Sequence, residues 1–137
     1  GRMPLSPSAG AADSSPQRTQ VAFAQTRSTD VDEAYKQEVE RADQALRRDD
    51  FEAAFRHLER AHVLAQRMTG RHTFIHWRML VAGLRRGDVR EVVGQLPRIV
   101  ASILFSRLWV PRGNSGRSRV SAFKPMPVPR DLQHLVR

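Results

Sequence analysis

A chain of 137 residues with a net charge of +9 is long enough for one hydrophobic core and too short for two. It contains no cysteine, which excludes disulfides and thiolate metal ligands and fits a reducing cytoplasm. No segment approaches the roughly 20 apolar residues that a membrane-spanning helix needs.

Residues 1–32 are rich in Ser, Ala, Pro, Gln and Thr, carry three Arg against three Asp, and hold no apolar run. This composition predicts a disordered leader. It has no apolar h-region of a signal peptide, so the expected location is cytoplasmic.

Residues 33–105 read as a helical domain. From Glu33 to Arg47, Ala34, Tyr35, Val39, Ala42, Ala45 and Leu46 recur close to a 3.6-residue period, with Asp30 or Asp32 as a possible cap. A second helix is predicted over Phe51–Thr69, capped by Asp49 or Asp50 and stopped by Gly70. The third, His72–Arg86, is apolar nearly all round and should be the most buried. The fourth follows Gly87-Asp88 and lines up Val89, Val92, Val93, Leu96, Val100 and Ile103, with a kink or break expected near Gln95 because Pro97 follows. Leu46-Arg-Arg-Asp-Asp-Phe51 recurs as Leu84-Arg-Arg-Gly-Asp-Val89, which points to two helix-turn-helix units. The first unit resembles a tetratricopeptide hairpin in its small residues Ala42, Ala45, Ala54 and Ala61 around Phe51 and Leu58. The expected fold is therefore all-α: a compact four-helix domain of two tetratricopeptide-like hairpins, closed by its C-terminal segment or a partner chain.

Residues 106–137 change character. Pro111-Arg-Gly-Asn-Ser-Gly116 is a turn-rich loop, and the alternating Pro125, Pro127 and Pro129 impose an extended chain. Phe123, Met126 and Leu132 are the expected anchors of a strap lying across the helices. Most of the basicity is here, since residues 98–137 hold eight basic side chains and one acidic, while residues 33–97 hold twelve and ten. Such a tail could meet an acidic protein, anionic lipid or nucleic acid. No zinc-finger, RNP or basic-zipper pattern supports the nucleic-acid reading. Only Lys36 and Lys124 are lysines, an Arg bias that GC-rich coding alone can produce.

The chemistry-bearing residues lie on either side of the turn at Gly70. Glu59 and His62 form an E-x-x-H, and His72 and His76 an H-x-x-x-H, each pair on one helix face. His62 and His76 stand roughly 12 and 9 Å from the turn on antiparallel helices, so their imidazoles should come within about 7 Å. An i, i+4 histidine pair suits zinc, nickel or copper. With one E-x-x-H instead of two, a single divalent ion is favoured over a di-iron site. Gln66, Glu91, Gln95 and Arg98 could orient these ligands from behind, and Arg60 could pair with Glu91. His57, on the opposite face, is expected in solvent, and His134 has no spacing signal. No Ser-His-Asp, P-loop or dinucleotide motif is present, so nucleophilic catalysis and nucleotide phosphate cradling have no support.

Several motifs occur in one order: Leu58-Glu-Arg-Ala-His62, Gln66, His72-x-x-x-His76 with Met79-Leu80, Glu91-x-x-Gly94-Gln95-x-x-Arg98, Pro111-x-Gly-Asn-x-Gly116, and Pro125-Met-Pro-x-Pro129-x-x-Leu132. Together they resemble the bacterial domain-of-unknown-function family 3703 over about Tyr35 to Leu135. Ala65, Ser115 and Arg117 depart from its pattern. The resemblance implies no activity. It implies a setting beside metal-resistance genes, and metal homeostasis or sensing through Glu59, His62, His72 and His76 is one function class the residues leave open. The other class left open is a non-catalytic module that holds a protein partner or a second copy, with the histidines structural.

Overall fold

The computed structural model describes residues 15–105 and 113–136 and contains four helices. They are α1 (Pro16–Arg47), α2 (Phe51–Ala65), α3 (Thr69–Arg86) and α4 (Val89–Phe105); a 3-10 turn follows at Arg130–Leu132. Among the described residues there is no strand. Each helix packs on its chain neighbour, so α2 and α3 occupy the middle of the series and α1 and α4 its flanks.

Helix α1 begins at Pro16 rather than near Glu33, and so runs through residues 16–32 that composition assigns to a disordered leader. Pro16 sits in the first turn, where its missing N–H costs nothing, and no Gly or Pro interrupts the chain from there to Arg47. From Pro16 to Asp30 the side chains are exposed; packing starts at Val31. Asp30 and Asp32 therefore lie inside a helix and cap nothing. Residues 1–14 of the expected leader lie outside the described residues.

The turns follow local chemistry. Asp50 caps α2 by accepting from the Ala53 N–H at 3.0 Å. Helix α3 ends at Gly87, in the left-handed region at φ 74°, with the Asp88 N–H bonded to the Gly83 carbonyl and the Gly87 N–H to that of Leu84. Asp88 then caps α4 through the Glu91 N–H. The α2–α3 turn differs from expectation. Helix α2 stops at Ala65, Met68 takes the extended position before α3, and Gly70 lies within the first turn of α3 with an ordinary backbone.

The core is built where Ala42, Ala45, Ala54 and Ala61 let α1 and α2 approach, and Phe55, Leu58, Ile75 and Met79 fill the space behind them. Helix α3 is central, yet Phe74, Trp77 and Leu84 are exposed, because its inward face is shared with His72 and His76. Helix α4 is turned further from expectation. Its apolar stripe faces outward and its buried side chains are Glu91, Gln95 and Ser102. The helix also continues unbroken through Pro97.

Residues 113–136 lie against this scaffold. Leu132 is buried in the core, with Val128, Leu135 and Val136 packed beside it. Arg60 holds this end by reaching both the Glu38 carboxylate of α1, at 2.8 Å, and Asp131, at 2.5 Å. It does not pair with Glu91. Phe123 is no anchor, being 70% exposed, and Met126 is only partly covered. Pro111 lies outside the described residues.

Candidate metal centre

His62 projects from α2, and His72 and His76 from successive turns of α3, so the three imidazoles meet in the seam between the helices. All three are buried. Their Nε2 atoms form a triangle: 2.8 Å from His62 to His72, 3.2 Å from His62 to His76 and 3.1 Å from His72 to His76. The ring centroids stand 4.6 to 4.8 Å apart and the rings are mutually inclined, not stacked. Three nitrogens thus aim at one point.

Protons decide what this triangle can hold. His62 Nδ1 lies 2.8 Å from the Asn114 carbonyl oxygen, which only accepts, so Nδ1 carries the proton and donates it. Gln95 Nε2 donates to Glu91 Oε1 at 2.6 Å and to the Gly116 carbonyl at 3.0 Å, which fixes the amide orientation. Its Oε1 must then accept from His76 Nδ1, 2.7 Å away. A neutral imidazole protonated at Nδ1 presents a lone pair at Nε2. His62 and His76 therefore direct lone pairs at each other with no hydrogen between them.

Protonation is an expensive way to relieve this contact. Burial, followed by the charges of His76 and His72, pushes His62 well below its ordinary value of 6.5. Burial brings His72 down to about 4. Burial and the neighbouring His72 bring His76 down to about 3, against the opposing hydrogen bond to Gln95. At neutral pH the cluster is uncharged.

The surroundings come from α4 and the C-terminal segment. Glu91 is fully buried; burial alone would raise its carboxyl, but hydrogen bonds from Ser118 and Gln95 and the charge of Arg117 outweigh this, and the net shift is downward. A chain of contacts runs from the Glu91 carboxylate through the Gln95 amide to His76. Gln66 donates to the Asn114 carbonyl at 3.1 Å and accepts from the Gly113 N–H at 3.2 Å, which seats the loop over His62. Asn114 in turn ties that loop to the carbonyls of Ser121 and Lys124. Gly116, at φ 79°, lies so close to His62 that a Cβ there would meet the ring at 2.8 to 2.9 Å.

Of the residues singled out by spacing, His62, His72 and His76 come together. Glu59 does not join them: its carboxylate accepts from Arg117 Nη1 at 3.1 Å, and burial raises its pKa against that pairing. Gln66, Glu91 and Gln95 stand behind the histidines or their loop. Arg98 bonds the carbonyls of Gly94 and Val120 and fastens the C-terminal segment to α4. His57 is not free in solvent but contacts Glu38 Oε2 at 2.7 Å. Sequence reasoning missed Asn114, Gly116, Arg117 and Ser118 as parts of the site. Arg117 bridges Glu59 and Glu91 and stacks over the Phe55 ring at 3.8 Å. The Gly-Asn-x-Gly spacing was the available signal, because such spacing marks a loop with a demanding backbone.

Fold and site together define a small all-α protein with three converging, buried histidines. His62, His72 and His76 form a group whose ligand atoms all lie within 4.8 Å of one another, close enough to hold one metal ion. A family model described as Protein of unknown function (DUF3703) matches residues 29–136, and the chain belongs to that family. Comparison with curated proteins found no match, nor did comparison with solved structures.

Proposed function

We propose that this protein binds one divalent transition-metal ion through the Nε2 atoms of His62, His72 and His76, and serves metal homeostasis or sensing instead of catalysis. The observation that carries this reading is the facing pair of lone pairs on His62 and His76, 3.2 Å apart, each with its proton committed to the other ring nitrogen. A cation between them turns a repulsion into two bonds. In a tetrahedral site with metal–nitrogen bonds of 2.0–2.1 Å the nitrogens stand about 3.3 Å apart. The observed triangle is slightly tighter than this, so a small outward movement of the rings would accommodate the ion.

Three neutral imidazoles are donors of intermediate softness, which favours zinc, nickel or copper over magnesium or calcium. Gln95, backed by Glu91, fixes the His76 tautomer, and the Asn114 carbonyl fixes that of His62; both support ligand basicity. Glu59 takes no ligand role in this reading, because Arg117 holds it. Three protein ligands leave a fourth position for water or an incoming donor.

The test is elemental analysis of protein purified without a histidine tag, followed by titration with zinc, nickel, copper and cobalt. One ion per chain, with the visible absorption of tetrahedral cobalt(II), supports the proposal. No stoichiometric uptake overturns it. The other reading, a tetratricopeptide-like interaction module with structural histidines, draws support from the apolar outer face of α4. It requires His72 to carry its proton at Nε2 and to donate it to the lone pairs of His62 and His76, 2.8 and 3.1 Å away.

A further inference from the structure

Helix α4 buries its polar side and presents Val89, Val93, Leu96, Val100 and Ile103 to solvent, each between 54 and 72% exposed. Their spacing of four, three, four and three residues is a 3.5-residue repeat, the a/d pattern of a helix that packs along another helix. An apolar stripe that merely covers a globular core drifts to a 3.6 period and is covered by it. Among the described residues nothing covers this stripe. On one side of α4 lies α3, joined through Thr73 and Ser102; on the other lie Ser118 and Val120 of the C-terminal segment, against Gly94 and Arg98. The seam points away from both.

The face widens onto α3. Trp77 lies one turn beyond Thr73 on the flank facing α4, Leu84 two turns further, and both are more than half exposed. At these exposures the seven side chains leave about 120 Å² open apiece, roughly 800 Å² together, which is the area each partner contributes to a standard-size interface. A monomer seldom shows so large an apolar patch.

We propose that this face is the contact between two copies of the chain, with the two α4 helices antiparallel across a two-fold axis at Leu96. A like seam is the complement such a face offers, since a two-fold contact pairs one apolar stripe with its own copy. Leu96 is the midpoint of Val89 and Ile103, so in the antiparallel pair each end of the seam meets the other end of its partner and Leu96 meets Leu96. Direction follows from charge. Arg90 is the single charged side chain among the exposed positions of α4, and a parallel pair would gather both copies of it at one end. Antiparallel packing separates them and opposes the helix dipoles favourably.

The absence of native cysteine makes the test direct. In sedimentation analysis the 137-residue chain should show twice its 15.6 kDa mass. Leu96→Arg, at an exposed position, should run as a monomer with unchanged helical circular dichroism. Under mild oxidation Leu96→Cys should cross-link to itself. Val89→Cys should not, because its two copies would lie about 20 Å apart, yet it should cross-link to Ile103→Cys when the two variants are mixed. A wild type that stays monomeric at about 100 µM overturns the proposal, including one that binds lipid vesicles or another protein instead. So does a dimer untouched by Leu96→Arg, or one in which Val89→Cys self-links and Leu96→Cys does not.

Discussion

His62 and His76 face each other with 3.2 Å between their Nε2 atoms, while each gives its Nδ1 proton away, one to the Asn114 carbonyl and the other to Gln95. The two acceptors come from different parts of the chain, the loop after α4 and α4 itself. Neither ring can turn to offer a proton inward without abandoning a buried acceptor. The pair is thereby held with two lone pairs facing inward, and the Nε2 of His72, 2.8 and 3.1 Å from them, completes the triangle.

Gln95→Leu removes the acceptor for His76 Nδ1 and one donor to the buried Glu91 carboxylate, which keeps Ser118 and Arg117. Metal affinity should fall by about 10- to 100-fold, as expected for loss of a supporting hydrogen bond behind a ligand. Stability of the metal-free protein should fall by about 1–3 kcal/mol, because a buried group loses its partner. Calorimetry and urea unfolding read the two effects separately. Unchanged affinity would show that Gln95 does not orient His76.

Gly116→Ala and Gly70→Ala should act in opposite directions. At Gly116 the backbone is left-handed and the new Cβ would press on the His62 ring, so a loss of about 1–3 kcal/mol is expected, with weakened metal binding. At Gly70 nothing lies within 4 Å and the residue is helical, so alanine should stabilise by about 0.4–1 kcal/mol. Thermal unfolding of both variants tests the pair, and equal effects would contradict the loop geometry.

The starts of α2 and α4 and the end of α3 were legible in the sequence because Asp50, Asp88 and Gly87 act within a few residues of where they stand; the end of α2, expected at Gly70, was not. The meeting of the three histidines was legible for a related reason: helical spacing and one short connection suffice to place them. The inward sense of α4 was not. Periodicity reveals a stripe but not which way it faces, and here Glu91 and Gln95 turn inward because Ser118, Arg117 and His76 give them partners from elsewhere in the chain. Glu59 was misjudged on the same grounds, since Arg117 lies 58 residues further on. The early start of α1 is a local matter, set by Pro16 and an uninterrupted run of helix-compatible residues.

Metal-free protein should lose stability as pH falls from about 6.5 toward 4. In the folded state burial holds His72 at about 4 and His76 at about 3, so both stay neutral there, while the same side chains in the unfolded chain take up protons near 6.5. The unfolded state binds more protons across this window, so the contribution of each histidine is fully present above 6.5 and declines below it by up to about 1.4 kcal/mol per pH unit. Urea midpoints in chelator at pH 7.5, 6 and 5 measure this while most carboxylates remain ionised. A flat profile would mean that the histidines are not buried as neutral groups. Bound metal should be released over a lower range than from free imidazole, since ligation competes with protonation.

The most direct test of the central claim is calorimetric titration of the metal-free wild type and His76→Ala with zinc, nickel and copper at neutral pH. One ion per wild-type chain at micromolar or tighter affinity, lost in a variant that keeps its helical circular dichroism, is the predicted result. Absence of one-to-one binding in the wild type, or binding that His76→Ala leaves intact, would contradict the three-histidine centre.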